Sequence, residues 1–157
     1  MNLVDELEFE IVYEKYSQML FNIIYSYLKN YEDSENILQD VFMTYLLKNP
    51  NIKNEEIKFW LIRVAINKSI NELKNSYRKK VILNEEYISI VPSSNNVEQN
   101  MFDEVCALPH KYKDVIVLYY YNNLSTKEIS KILKITESGV RMRLLRAKQI
   151  LKDKMRW

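Results

Sequence analysis

The chain has 157 residues, of which 47% are hydrophobic and 28% charged, and its formal net charge is +2 at pH 7. One glycine and three prolines leave few turn residues, so hairpin-rich all-β folds are excluded and an all-α fold is expected. The single cysteine, Cys106, excludes an intrachain disulfide and a cysteine cluster for a metal.

Helical periodicity runs through the first half of the chain. Residues 4–30 fit one or two amphipathic helices, and residues 33–48 (DSENILQDVFMTYLLK) fit another. Pro50 and the asparagines beside it predict a loop. A long helix is predicted from about Glu55 to Lys79, with an apolar side made of Trp60, Leu61, Val64, Ala65, Ile70 and Leu73.

A change of composition predicts a domain boundary. Residues 81–104 contain no Lys or Arg and include the turn-rich cluster PSSNN. We interpret this segment as an extended acidic linker between two small helical domains, residues 1–80 and 105–157.

The last third predicts a helix-turn-helix. Pro109 suits the first residue of a helix, and Ser125 with Glu128 forms a capping box that starts a short helix ending near Leu133. A tight turn at 134–136 leads to a last helix from Glu137. Its buried stripe is expected at Val140, Leu144, Ala147 and Leu151.

Charge is segregated along the chain. Acidic residues dominate 1–52 and 81–104, whereas Lys and Arg dominate 53–80 and 105–157. Two basic segments suggest two contacts with a nucleic acid, although solvated helix faces would give a similar pattern. In the last helix, Gly139 could let a backbone or phosphate approach the first turn, or could simply be tolerated at a helix end.

Two blocks of sequence together resemble a known family. The first is EDSENILQDVFMTYL followed by FWLIRVAINKSINELKNSYRKK, and the second is LPHKYKDVIVLYYYNNLSTKEISKILKITESGVRMRLLRAKQIL. They resemble regions 2 and 4 of sigma-70 family sigma factors, in the short extracytoplasmic-function type. The resemblance implies a sigma factor that binds core RNA polymerase and directs promoter-specific initiation at minus-10 and minus-35 type elements. It also implies an anti-sigma partner.

The resemblance implies a role for each domain. In the first, a helix face would bind the polymerase core through Glu35, Asn36, Gln39, Asp40 and Met43. The long helix would hold the melted strand of the downstream element through Arg63, Asn67, Lys68, Asn71, Lys74, Arg78, Lys79 and Lys80. Trp60 is expected to be core rather than a base-stacking wedge. The acidic linker would thread towards the polymerase active-site cleft.

In the second domain, the last helix would bind the duplex upstream element. The implied contacts are Ser138, Arg141, Met142, Arg143, Leu145, Arg146 and Lys148, with Arg143 and Lys148 on phosphates. The sequence departs from the family pattern at Lys134, where glycine is usual, and at Gly139, where threonine is usual.

Other classes of protein fit less well. We expect no enzyme, catalytic residue, metal or cofactor, because no phosphate loop, metal-ligand cluster or nucleophile motif occurs. The main alternative is a stand-alone helix-turn-helix regulator with a helical sensor domain, and an interaction protein is a third. The start, MNLVDELEFE, does not resemble a signal peptide, and no apolar run approaches the ~20 residues of a membrane span, so a cytoplasmic protein is expected.

Overall fold

All elements of the described residues are helices. The computed structural model describes residues 3–48, 50–83 and 97–155, without the side chains of residues 4, 77–83 and 97–100. Within those ranges the order is α1 (Leu3–Leu28), α2 (Tyr31–Lys48), α3 (Asn54–Leu83), α4 (Val97–Cys106), α5 (His110–Ile116), a π-helical turn (Val117–Tyr121), α6 (Thr126–Leu133) and α7 (Glu137–Met155). The chain divides into two compact units, Met1–Lys79 and Lys80–Trp157. The all-α prediction is confirmed for this part of the chain.

Polar backbone contacts separate α1 from α2 in the first unit. Lys29 has a positive φ of 51°, which ends α1. The side-chain oxygen of Asn30 accepts a hydrogen bond from the backbone N–H of Asp33 at 2.8 Å, so Asn30 caps α2. This cap explains why α2 begins at Tyr31, two residues before the predicted start.

The buried stripe of α3 differs from the predicted one. Leu61 and Ala65 are buried as expected, but Ile62 and Ile66 complete the stripe, while Val64 is only half-buried. Apolar residues lie on nearly every side of α3 between Ile57 and Ile66, so periodicity alone did not identify the buried side. The core of this unit also contains Leu20, Ile23, Ile24, Ile37, Val41 and Phe42 from α1 and α2.

The predicted extended linker, residues 81–104, is wrong at both ends. Helix α3 continues to Leu83, and α4 already begins at Val97. Helix α4 forms because its apolar side packs within the second unit: Val105 is buried, and the Phe102 ring meets the Tyr121 ring edge-on at 5.5 Å. The remainder of the predicted linker, 84–96, lies outside the described residues.

The second unit is built around α5, α6 and α7. Pro109 precedes α5 as its N-cap rather than its first helical residue, because its ψ of 146° is extended. Helix α5 runs into the π-helical turn, where the side-chain amide of Asn122 donates to the Val117 carbonyl at 2.9 Å. Its core includes Val115, Ile116, Leu118, Leu124, Ile129, Ile132, Val140, Leu144, Ala147 and Leu151.

Candidate nucleic-acid and polymerase interfaces

Helices α6 and α7 form the predicted helix-turn-helix. The Ser125 hydroxyl accepts from the Glu128 N–H at 3.0 Å, and the Glu128 carboxylate accepts from the Ser125 N–H at 3.1 Å, so the capping box is complete. The short turn between the helices uses Lys134 in the left-handed conformation, with φ 56° and ψ 45°. The predicted stripe Val140, Leu144, Ala147 and Leu151 is buried, and through it α7 packs against the other helices of the second unit.

Thr136 explains why Gly139 stands at the start of α7. The Thr136 hydroxyl accepts from the Gly139 N–H at 3.0 Å and so caps the helix. A Cβ at position 139 would lie 3.2 Å from that hydroxyl oxygen, which is tight. Gly139 does not have a positive φ, so the backbone conformation does not require glycine here. The small size of glycine matters instead, because it leaves room for the Thr136 hydroxyl. The close approach expected at this glycine is therefore made by a capping side chain of the same chain.

The solvent-facing side of α7 combines positive charge with apolar surface. We call this side the upstream face, and its exposed members are Ser138, Arg141, Met142, Leu145 and Arg146. Met142 and Leu145 are 53% and 54% exposed, which is high for large apolar side chains. Arg141 pairs with Glu137 at 3.5 Å one turn earlier. This combination suits a DNA groove, where arginine binds guanine or phosphate and an apolar group meets a thymine methyl.

Two basic side chains of α7 contact tyrosines of the preceding segment. The Arg146 guanidinium donates to the Tyr112 hydroxyl of α5, which lowers the pKa of that tyrosine. The Lys148 ammonium lies 5.3 Å from the centre of the Tyr120 ring, and its hydrogen bond to Tyr120 raises the pKa of the lysine. Both cations remain exposed, so each is positioned by its own unit without being removed from solvent.

Arg143 differs from its neighbours because it is half-buried beside the buried stripe. Its charge acts on Asp114 of α5, which is only 8% exposed. Burial raises the pKa of Asp114 to about 7, and the positive charge of Arg143 opposes this shift. The Oδ1 atom of Asp114 is buried and accepts no hydrogen bond.

Helix α3 carries polar groups on the side opposite its buried stripe. Arg63, Asn67, Asn71 and Lys74 recur at helical spacing, so they share one face. Asn67, Asn71 and Lys74 are exposed, Arg63 is half-buried, and Lys68 is half-buried at the edge of this face. The backbone of α3 continues through Arg78, Lys79 and Lys80, whose side chains lie outside the description. We call Arg63, Asn67, Asn71 and Lys74 the α3 face.

Trp60 occupies an intermediate position. Its ring meets the Tyr45 ring of α2 edge-on, with centroids 6.1 Å apart, and the residue is half-buried. Trp60 therefore packs against α2 while part of it stays open to solvent.

The five residues expected to bind polymerase share one exposed side of α2. They are Glu35, Asn36, Gln39, Asp40 and Met43. The opposite side, with Ile37 and Val41, is buried. A hydrogen bond from the exposed Tyr31 hydroxyl to Glu35 raises the pKa of Tyr31. This α2 face is exposed and mostly polar, with Met43 as its one large apolar side chain.

Family models match both units of the chain. Residues 12–79 match sigma-70 region 2, and residues 94–151 match sigma-70 region 4. The chain belongs to the sigma-70 family. It is a sigma factor of the extracytoplasmic-function type, whose partners are core RNA polymerase and promoter DNA and whose function is promoter recognition and transcription initiation.

Curated relatives cover nearly the whole chain. The ECF RNA polymerase sigma factor SigM of Bacillus subtilis is 27% identical over 90% of this chain and 91% of its own length. The ECF RNA polymerase sigma factor SigW of the same organism is 26% identical over 97% and 91%. Both units match sigma-70 regions, in the order expected for the family. The family therefore accounts for the first unit, which the alternative of a stand-alone helix-turn-helix regulator does not explain.

Solved structures share the fold at lower identity. The sigma factor RpoE in complex with the anti-sigma factor NepR from Bartonella quintana aligns with a TM-score of 0.76 at 17% identity, covering 95% of this chain and 97% of that one. The structure of CnrH in complex with the cytosolic domain of CnrY aligns with a TM-score of 0.73 at 17% identity, covering 96% of this chain and 88% of that one.

Sequence reasoning missed four residues that act on side chains or the first turn of α7: Tyr112, Asp114, Tyr120 and Thr136. For Thr136 a signal existed, since a threonine before a helix start is a common cap. Asp114 gave no such signal, because a carboxylate next to an apolar run is usually solvent-exposed.

In the described part of the chain no group of His, Cys, Asp and Glu could hold a metal ion, and no helix there is long and apolar enough to cross a membrane.

Proposed function

We propose that the upstream face of α7 reads the duplex upstream element of the promoter, of the minus-35 type. The observation that carries this assignment is the arrangement of α7, with arginines and exposed Met142 and Leu145 opposite a fully seated buried stripe. In a helix-turn-helix the second helix enters the major groove, where such side chains reach base edges. Lys148, at the edge of this face and held by Tyr120, contacts phosphate.

The α3 face holds the melted strand of the downstream element, of the minus-10 type. Amides and cations at helical spacing can bind unstacked bases and phosphates along one strand. Asn67, Asn71 and Lys74 are exposed and available for such contacts, and Lys68 lies beside them. The basic residues Arg78, Lys79 and Lys80 extend the same role at the end of α3.

The exposed α2 face docks on core RNA polymerase. Asp40 and Gln39 lie at its centre, with Met43 as an apolar contact at the next turn. This sigma factor works in the cytoplasm and catalyses no reaction itself. An anti-sigma factor restrains it; this part of the proposal is supported by the similar sigma factor RpoE, whose structure is a complex with the anti-sigma factor NepR.

Run-off transcription with purified core RNA polymerase tests the proposal. Genomic fragments, including the region upstream of the protein's own gene, are transcribed with and without the sigma factor. A discrete start site that requires the protein is expected, and the two promoter elements are then located by scanning substitutions in the DNA. Failure to obtain any protein-dependent start with active polymerase would overturn the proposal.

Two charge reversals separate polymerase docking from general charge effects. Asp40→Lys on the α2 face is expected to abolish co-elution with core polymerase. Glu14→Lys places the same charge change on an exposed position of α1 and is expected to leave co-elution intact. Equal effects of the two variants would show that the α2 face is not the docking surface.

A further inference from the structure

An open-sided cavity of about 470 Å³ lies within the second unit. Residues of α4, of the end of α5, of the π-helical turn and of the last two turns of α7 line it. Its lining side chains are apolar or aromatic except for two lysines, Lys148 and Lys152. Sites for small molecules typically have volumes of about 300–1,000 Å³, an apolar lining and a few polar groups that fix the orientation of the ligand. The cavity therefore has the size and the chemistry of a ligand site.

The lining combines fixed and adaptable side chains. Val105, Ile116 and Leu151 are buried members of the core, so they hold their positions. Met101 and Met155 are only partly buried, and methionine side chains adjust readily to an apolar ligand. The π-helical turn adds two exposed tyrosines, and the ring of one of them, Tyr121, is supported edge-on by Phe102 at 5.5 Å.

The two lysines give the cavity a positive edge. They lie one turn apart on α7, and both are exposed. The Lys148 ammonium lies 5.3 Å from the centre of the Tyr120 ring, which places this cation at the cavity. Lys154, further along α7, pairs with Glu104 of α4 at 3.9 Å. Among the described residues, neither Lys148 nor Lys152 has a carboxylate partner of this kind, so an anionic group of a ligand would complement both.

We infer that this cavity binds an anionic amphiphile, a small molecule with an apolar chain and a single carboxylate. The lining extends about 10 Å along α7 from Lys148 to Met155, at 1.5 Å per residue. The carboxylate lies between Lys148 and Lys152, and the chain extends towards Met101 and Met155. A charge-assisted contact at one end and apolar burial along the rest is how such ligands are held. Lys148 is then shared with DNA phosphate, a consequence that rests on the proposed function of α7, whereas the binding itself does not.

The test uses the full-length protein with ¹³C-labelled methionine methyl groups and sodium decanoate, below its micelle concentration, as the probe. Resonances are assigned by replacing one methionine at a time with leucine. Decanoate is expected to shift the Met101 and Met155 methyl resonances in a saturable way. Met43 on α2 and Met142 on the upstream face are exposed methionines away from the cavity, and their resonances should not move.

The charge of the ligand and the two lysines are tested separately by isothermal titration calorimetry. Decyltrimethylammonium has the same chain length and the opposite charge, so it should bind much more weakly than decanoate. The double variant Lys148→Gln/Lys152→Gln should weaken decanoate binding by roughly tenfold, the combined effect of losing two exposed charge contacts. Lys127→Gln/Lys134→Gln removes two exposed lysines of the same unit that do not line the cavity, and it should leave the affinity unchanged.

Four results would overturn the inference. They are no saturable shift of Met101 and Met155, shifts of equal size at Met43 and Met142, equal binding of the cationic amphiphile, and equal losses in the two lysine double variants. If the same two methyl resonances move only on adding an acidic amphipathic peptide, or only on raising the protein concentration, the cavity is a docking surface for a partner helix or for a second copy instead. None of these measurements uses promoter DNA, so failure of this inference and failure of the proposed function are distinguishable.

Discussion

Helices α7 and α3 present polar side chains to solvent in different ways. On α7, Arg146 and Lys148 are each held by a tyrosine from the preceding segment, and the helix is capped by Thr136. On α3, Asn67, Asn71 and Lys74 extend from the exposed side of a long helix. A helix that reads a regular duplex benefits from side chains that are already oriented. A helix that holds a melted strand must adapt to bases that have no regular spacing, so mobile side chains suit it.

Removing the support under α7 has the largest expected effect. Ile129 of α6 is fully buried in the core of the second unit, so Ile129→Ala should destabilise this unit by about 2–5 kcal/mol. Urea unfolding followed by circular dichroism measures this loss. Lys127→Ala on the exposed side of α6 is the control and should change stability little. A loss below 1 kcal/mol for Ile129→Ala would mean that α7 does not depend on this packing.

Arg146 tests whether the upstream face reads bases. Arg146→Ala should lose about 1–3 kcal/mol of discrimination between the preferred upstream element and variants at one base pair, if the arginine binds that base. Binding of holoenzyme to a set of promoter variants gives this value. Tyr112→Phe, which removes only the hydroxyl that holds Arg146, should cause a smaller loss of the same pattern. An equal loss on every DNA variant would identify a phosphate contact instead.

Lys74 tests whether α3 binds DNA independently of base sequence, in contrast to α7. Lys74→Gln should weaken binding to melted promoter DNA by a similar factor for all sequences, and should reduce the slope of log affinity against log salt by about 0.7. Lys15→Gln, on α1, removes the same charge away from the α3 face and should leave the slope unchanged. A strong dependence of the Lys74 effect on base sequence would contradict the contrast between the two helices.

A substitution in the turn before α7 is expected to have the smallest effect on stability. Lys134 has a left-handed conformation in which its side chain is unfavourable, so Lys134→Gly should stabilise the second unit by about 0.5–1 kcal/mol. Thermal unfolding checks this shift. Lys131→Gly in the last turn of α6 should destabilise by a similar amount, because that position is helical. Destabilisation by Lys134→Gly would mean that its side chain contributes more than its conformation costs.

Local rules in the sequence predicted much of α6 and α7. Ser125 and Glu128 predict a helix start from two residues alone, and the stripe Val140 to Leu151 follows a single unbroken period. Helix α3 was harder, because Ile62 and Ile66 compete with Val64 and Ile70 in a run that is apolar on several sides. Asp114 could not be predicted, since its burial depends on how α5 packs against α7, which no local pattern records. The roles of the exposed polar residues remain predictions.

The π-helical turn makes the stretch YYY sensitive to its length. The turn holds one more residue than an α-helix would, and the Leu124 N–H still reaches the Leu118 carbonyl at 3.1 Å across it. Deleting one tyrosine would turn the residues on one side of the deletion by about 100° and carry Tyr120 away from Lys148. Tyr119 is an exposed residue, and replacing it with phenylalanine removes a hydroxyl without changing the length of the turn. In this segment, insertions and deletions should therefore be far more damaging than substitutions.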